Sequence, residues 1–105
     1  MRHEVDVTRR FEKDKRKCQK RGYNLNELDK VIEILRTRKF TQEEVTRYKP
    51  HYIEEHDVYE LHLNGRKSDW VLTYNIIGDV LYLQRTGSHD DLMLSTEISN
   101  ELIWL

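Results

Sequence analysis

Two glycine-bearing turns, Asn64-Gly65 and Gly78-Asp79, cut the second half of this chain into short runs, and they constrain its fold more than any other feature. Such dipeptides supply the positive backbone angles of tight hairpin turns, so the runs they join must be antiparallel neighbours. The runs span residues 58–63, 70–76 and 80–85, each rich in Val, Leu, Ile, Tyr or Trp. A three-stranded meander is therefore expected.

Upstream the pattern has a different period. His3, Val5 and Val7 alternate with Glu4 and Asp6, which predicts a short first strand. Phe11 and Cys18 lie seven apart among strong helix formers, with Gly22 as a stop, so residues 8–21 read as a charged helix with a narrow apolar stripe. Asn24 with Glu27 suggests an N-cap pair for a second helix running to about residue 38, in which Leu25, Leu28, Val31, Ile32 and Leu35 share one face. Residues 41–57, polar and holding the only proline, read as a loop with one helical turn. Residues 98–105 are apolar enough to pack as a final helix or strand. The order gives an α+β fold in which a helical hairpin covers one sheet face and leaves the other open.

At 105 residues the chain has room for one core and is read as a single domain, with 94–105 as a C-terminal extension. Only 37% of its residues are hydrophobic and 35% are charged, which predicts a thin core and a shallow, solvent-open site suited to a polymer. The lone Cys18 excludes an intrachain disulfide and a multi-cysteine zinc site. With no long apolar run and a polar start, the chain is expected in the cytoplasm and away from membranes. The net charge of -1 conceals an asymmetry: residues 1–49 carry 15 Lys+Arg against 9 Asp+Glu, and residues 50–105 carry 3 against 10. The basic run from Arg9 to Arg21 is either a solvated helix side or a surface for a phosphate backbone, and charge alone leaves both open.

The candidate chemistry gathers late in the sequence. His51, His56, His62 and His89 accompany Asp69, Trp70 and Arg85. Neither a helical HExxH, a glycine-rich phosphate loop nor a GxSxG elbow is present, and no close set of three metal ligands is visible, so no metal or other cofactor is expected. The remaining types suit RNA cleavage by the substrate's own 2'-hydroxyl. That reaction needs a base, an acid for the leaving 5' oxygen and a cation for the phosphate, and an aromatic ring helps by holding bases apart.

The order of these residues resembles a known family. Asp69-Trp70 opening one strand, followed by Arg85-Thr86-Gly87-Ser88-His89 and Leu92 at the end of the next, is similar to the YafQ branch of the RelE toxins, where Arg-Thr-Gly-(Ser/Thr)-His-x-x-Leu-Phe closes the strand. Lys20-Arg21-Gly22-Tyr23-Asn24-Leu25 and Tyr48-Lys49-Pro50-His51 resemble the family's helix break and its Tyr-Lys-x-His loop, so the likeness spans about residues 3–93. The interval from His62 to Asp69 is longer than in the family, and Met93 stands where the family has Phe.

The resemblance implies a RelE-like microbial RNase fold and a metal-independent, ribosome-dependent endoribonuclease that cuts mRNA. It implies a cognate antitoxin, with operator DNA met only through that antitoxin. Carried over by position, His51 and His62 become active-site histidines, Asp69 a base or its orienting partner, Arg85 the transition-state cation and His89 the general acid. Trp70 becomes a support for base stacking or for the sheet beneath it, and Met93 a substrate contact. A nuclease-inactive relative serving as an antitoxin-binding or regulatory module is the alternative, and a stand-alone RNA-binding module is a third.

Overall fold

The computed structural model describes residues 3–63, 69–88 and Leu92. The Asn64-Gly65 turn, His89, Met93 and the expected C-terminal element lie outside the described residues. Strand β1 (Glu4–Val7) leads into helices α1 (Arg9–Lys20), α2 (Leu25–Thr37) and α3 (Gln42–Tyr48), followed by β2 (His51–Ile53), β3 (Val58–His62), β4 (Trp70–Ile77) and β5 (Val80–Ser88). The strands form one five-stranded sheet in the order β1-β5-β4-β3-β2. The expected meander is its centre, and β1 and β2 are its two edges.

Each helix begins where a side chain can take an orphan N–H. Thr8 Oγ1 accepts from the Phe11 amide at 2.9 Å and donates to the Gln84 carbonyl at 2.7 Å, so one hydroxyl both caps α1 and ties it to β5. The helix ends at Gly22, whose φ of +82 lets its amide reach Gln19 while the Tyr23 amide reaches Cys18. Asn24 caps α2 through the Asn26 amide at 3.0 Å. Glu27 is drawn elsewhere, accepting from the Tyr48 hydroxyl at 3.1 Å, and so pins α3 onto α2.

The stretch expected as a loop differs from that reading. Thr41 and Glu44 form a reciprocal capping box that starts α3, and Lys49 ends it in the left-handed region. His51–Ile53 then adds an antiparallel edge strand to β3. Three residues are too few to show a period, and their exposure gives hydrophobicity nothing to mark.

Phe11, Cys18, Leu28, Val31 and Leu35 from the helices meet Leu61, Leu63, Trp70, Leu72, Tyr74, Leu81 and Leu83 from the sheet in one buried cluster. Burying each large aliphatic side chain here contributes about 1.5–3 kcal/mol. The other sheet face is less bare than its polar residues suggest, because Glu60, Val71 and Thr73 on it are also buried.

Strict alternation would leave Arg85 on the helix side with Leu81 and Leu83. The β4–β5 ladder prevents this: Tyr74 pairs with Leu83 but Thr73 pairs with Arg85, so Gln84 is an extra residue at a bulge. One inserted residue turns Arg85 to the opposite face. The bulge is anchored by the Thr8 hydroxyl on the Gln84 carbonyl.

Candidate functional site

The register sets four residues in a row across the sheet, His51 on β2, Glu60 on β3, Thr73 on β4 and Arg85 on β5. His62 stands two residues beyond Glu60, next to Val71 and Gly87 in the adjoining row of the same face. Residues far apart in sequence thus share one strip of surface.

At the β2 end, the rings of His51 and His62 lie 6.1 Å apart and 21° from parallel. His51 Nδ1 is 3.0 Å from the Lys49 carbonyl oxygen, and its Nε2 is 3.4 Å from Glu60 Oε1. A carbonyl only accepts, so the hydrogen bond places a proton on Nδ1. In the neutral ring Nε2 then carries a lone pair and faces a carboxylate. The imidazole and the buried carboxylate thus sit side by side at the β2 end of the row.

Arg85 lies at the other end of the row. Its guanidinium donates from Nε to Asp14 Oδ2 at 2.9 Å and from Nη2 to Asp14 Oδ1 at 3.1 Å. Both side chains are largely shielded, at 14% and 13% exposure. Asp14 Oδ2 also accepts from the Thr86 amide at 3.2 Å, at the edge of β5 beyond its pairing with β1. The hydroxyl of the same Thr86 donates to the Val71 carbonyl and accepts from Trp70 Nε1, both at 2.9 Å. The Asp-Trp and Arg-Thr-Gly segments are therefore joined through one threonine.

This arrangement places Trp70 in the core. Its side chain is 2% exposed and its ring tilts against Tyr23 at 4.9 Å, so it supports the sheet and does not offer a face for a base. Asp69 is exposed just before β4. The structure thus brings His51, His62 and Arg85 to one face, whereas His89 and Met93 lie outside the described residues.

Glu60 was not singled out in the sequence. Its signal was Glu60-x-His62, two polar residues on one face of a strand otherwise built of Val58, Tyr59 and Leu61. Asp14 gave no signal, standing between Lys13 and Lys15 in a charged run. The expectation of no metal rested on the lack of a close ligand set, and that ground does not hold in the fold: ligand atoms of His51, Glu60 and His62 lie within 4.8 Å of one another. Two imidazoles and a carboxylate form a donor set suited to a borderline cation such as zinc or copper.

From α1, Arg9, Arg10, Lys13, Arg16, Lys17 and Lys20 are exposed, on the helix that also supplies Asp14. A basic surface therefore adjoins the Arg85 end of the row. Among the described residues no helix is long and apolar enough to cross a membrane.

Comparison with known proteins agrees with this architecture. No curated protein sequence gives a match. YafQ from Escherichia coli strain BL21(DE3) is 25% identical, superposes with a TM-score of 0.74 and aligns over 86% of this chain and 97% of its own. A metal-bound toxin from Helicobacter pylori is 30% identical with a TM-score of 0.72, over 86% and 98%. The E. coli DinJ-YafQ toxin-antitoxin complex contains a chain with the same fold, TM-score 0.72 at 24% identity over 88% and 98%. Residues 3–94 match the family model described as the bacterial YafQ toxin of type II toxin-antitoxin systems, and the chain belongs to that family.

Proposed function

We propose that this toxin is an endoribonuclease that cuts mRNA on the ribosome without a metal, by attack of the 2'-hydroxyl on the adjacent phosphate. The observation that carries the reading is the single row with the His51–Glu60 pair at one end and the twice-bonded Arg85 cation at the other. The 2'-hydroxyl gives its proton to His51 Nε2 as its oxygen bonds to phosphorus, and Arg85 stabilises the charge that gathers on the phosphate oxygens. The P–O5' bond breaks and the leaving oxygen takes a proton from His89, with His62 and Asp69 beside the path of the substrate. The products are a 2',3'-cyclic phosphate and a 5'-hydroxyl. The exposed cations of α1 hold the ribosomal or messenger backbone.

The likeness to the DinJ-YafQ toxin-antitoxin complex supports a cognate antitoxin as partner. On this reading the antitoxin silences the chain in the cytoplasm, and operator DNA is met only through it. The cluster of His51, Glu60 and His62 supports a second property of this site, metal binding, and solved H. pylori toxins of this fold are copper-bound or metal-bound. An ion held by His51, Glu60 and His62 would occupy the lone pairs that accept the proton, so zinc or copper inhibits and chelation leaves activity intact.

Translating ribosomes with a defined mRNA test the reading. Cleavage by the purified chain in EDTA, with cyclic phosphate ends and loss on His89→Ala, is expected. Intact mRNA with the wild-type chain would remove the nuclease reading and leave an antitoxin-binding module.

A further inference from the structure

We infer that Asp14 is the positioning residue of the site: it fixes the plane of the Arg85 guanidinium so that the edge bearing Nη1 is the one presented to phosphate. The inference rests on the nuclease reading above and adds a residue from a different element. Its basis is geometric. Asp14 takes Nε and Nη2, the side edge of the guanidinium, and is the group that Arg85 bonds among the described residues. An arginine has a second fork, formed by Nη1 with the outer hydrogen of Nη2, and that fork suits two oxygens of a phosphate. Side-on pairing to the carboxylate is therefore compatible with end-on binding of the substrate.

Asp14 is itself held. Oδ2 accepts from the Thr86 amide, whose residue bonds Trp70 and Val71, so the carboxylate is fixed to the strand that carries Arg85. Arg85 alone has four side-chain torsions to order, and a shielded partner bonded twice removes most of that freedom before substrate arrives. Opposite charge this close also lowers the net positive charge at the phosphate. Orientation outweighs this, because a phosphate gains from a fork in the right place more than from an undirected cation.

The test uses the full chain with ribosome-bound mRNA, comparing wild type, Asp14→Asn, Arg85→Ala and the double variant. Asp14→Asn is expected to lower the cleavage rate at saturating ribosomes by about 100-fold, as for a misplaced catalytic group, with KM within about threefold. Millimolar guanidinium is expected to restore part of the activity of Arg85→Ala and none of that of Asp14→Asn/Arg85→Ala, since the carboxylate is what seats the added ion. A rate within twofold of wild type for Asp14→Asn, or equal guanidinium rescue in both Arg85→Ala backgrounds, overturns the inference.

A separate readout stands apart from catalysis. The Arg85 Nε–H resonance is expected to be sharp and downfield in wild type and shifted upfield and broadened in Asp14→Asn; an unchanged resonance overturns the inference whether or not RNA is cut. Failure of wild type to cut RNA overturns the nuclease reading instead. If Asp14→Asn does not fold, Asp14→Glu keeps the charge while moving the carboxylate, and the same fall in rate without change in KM is expected.

Discussion

The two ends of the cross-sheet row are built differently. Arg85 is 14% exposed and bonded twice to one carboxylate, whereas the side chain of His51 is 49% exposed, with one carbonyl bond and a 3.4 Å approach to Glu60. The guanidinium is set in advance and the imidazole is freer to adjust. That division suits an RNA cut in which the phosphate must be seized in one orientation, while the hydroxyl and its base come into line only once the bases have been turned.

The contrast breaks most readily at Arg85. Replacing it by Lys keeps the charge but removes the fork, and a loss of cleavage of about 10²–10³-fold is expected from quenched-flow on ribosome complexes. Arg85→Ala adds a folding defect, because a shielded carboxylate loses its partner; a destabilisation of about 3–5 kcal/mol is expected in urea melts. Equal activity of the Lys variant would show that orientation at this end is unimportant.

Next in size is the adjustable end. His51→Ala and Glu60→Gln are each expected to slow cleavage by about 10²-fold, and combined to cost little more than either alone, since they act as one acceptor. Additive losses in the double variant would separate them. A smaller effect, on folding and not on chemistry, is expected for Trp70→Phe, which forfeits the indole bond to Thr86 and costs about 1 kcal/mol by thermal or urea melts. The smallest concerns neither end. Arg38, followed by the Thr41 amide, holds the Glu44 carboxyl down to about 2 from 4.5. This stabilisation is present above pH 4.5 and is lost as the pH falls toward 2, so the melting temperatures of wild type and Glu44→Gln should converge across that window. Because Glu44 and Arg38 are solvent-accessible, the gap at neutral pH should be small.

The meander, the helical hairpin and the cap residue Asn24 were readable because periods and turn residues are local signals, whereas Thr8, read as the first helical residue, is the cap of α1. Helix α3 was read only as one turn in a loop, because a polar stretch with a proline obscured the capping signature Thr41-x-x-Glu44. Strand β2 and the parallel pairing of β1 with β5 were not, because which edge a short strand joins is decided by packing. The site was half legible. His51, His62 and Arg85 stood out by type and order, but the bulge at Gln84 that brings Arg85 to their face has no mark in a run of alternating residues. The charge partner Asp14 is 71 residues from Arg85, farther than any local pattern can reach.

That parallel edge bears on when the Arg85 end of the row can assemble. Strand β1 lies against β5, and the Thr8 hydroxyl crosses 76 residues to reach Gln84. Contacts of such separation form late, after the intervening chain has been ordered. A chain still being made therefore holds its first strand and helix in waiting, and Arg85 gains its orientation only when β5 has left the exit tunnel. On the nuclease reading proposed above, the ribosome that makes the chain therefore meets no oriented Arg85 until β5 is free to pair with β1.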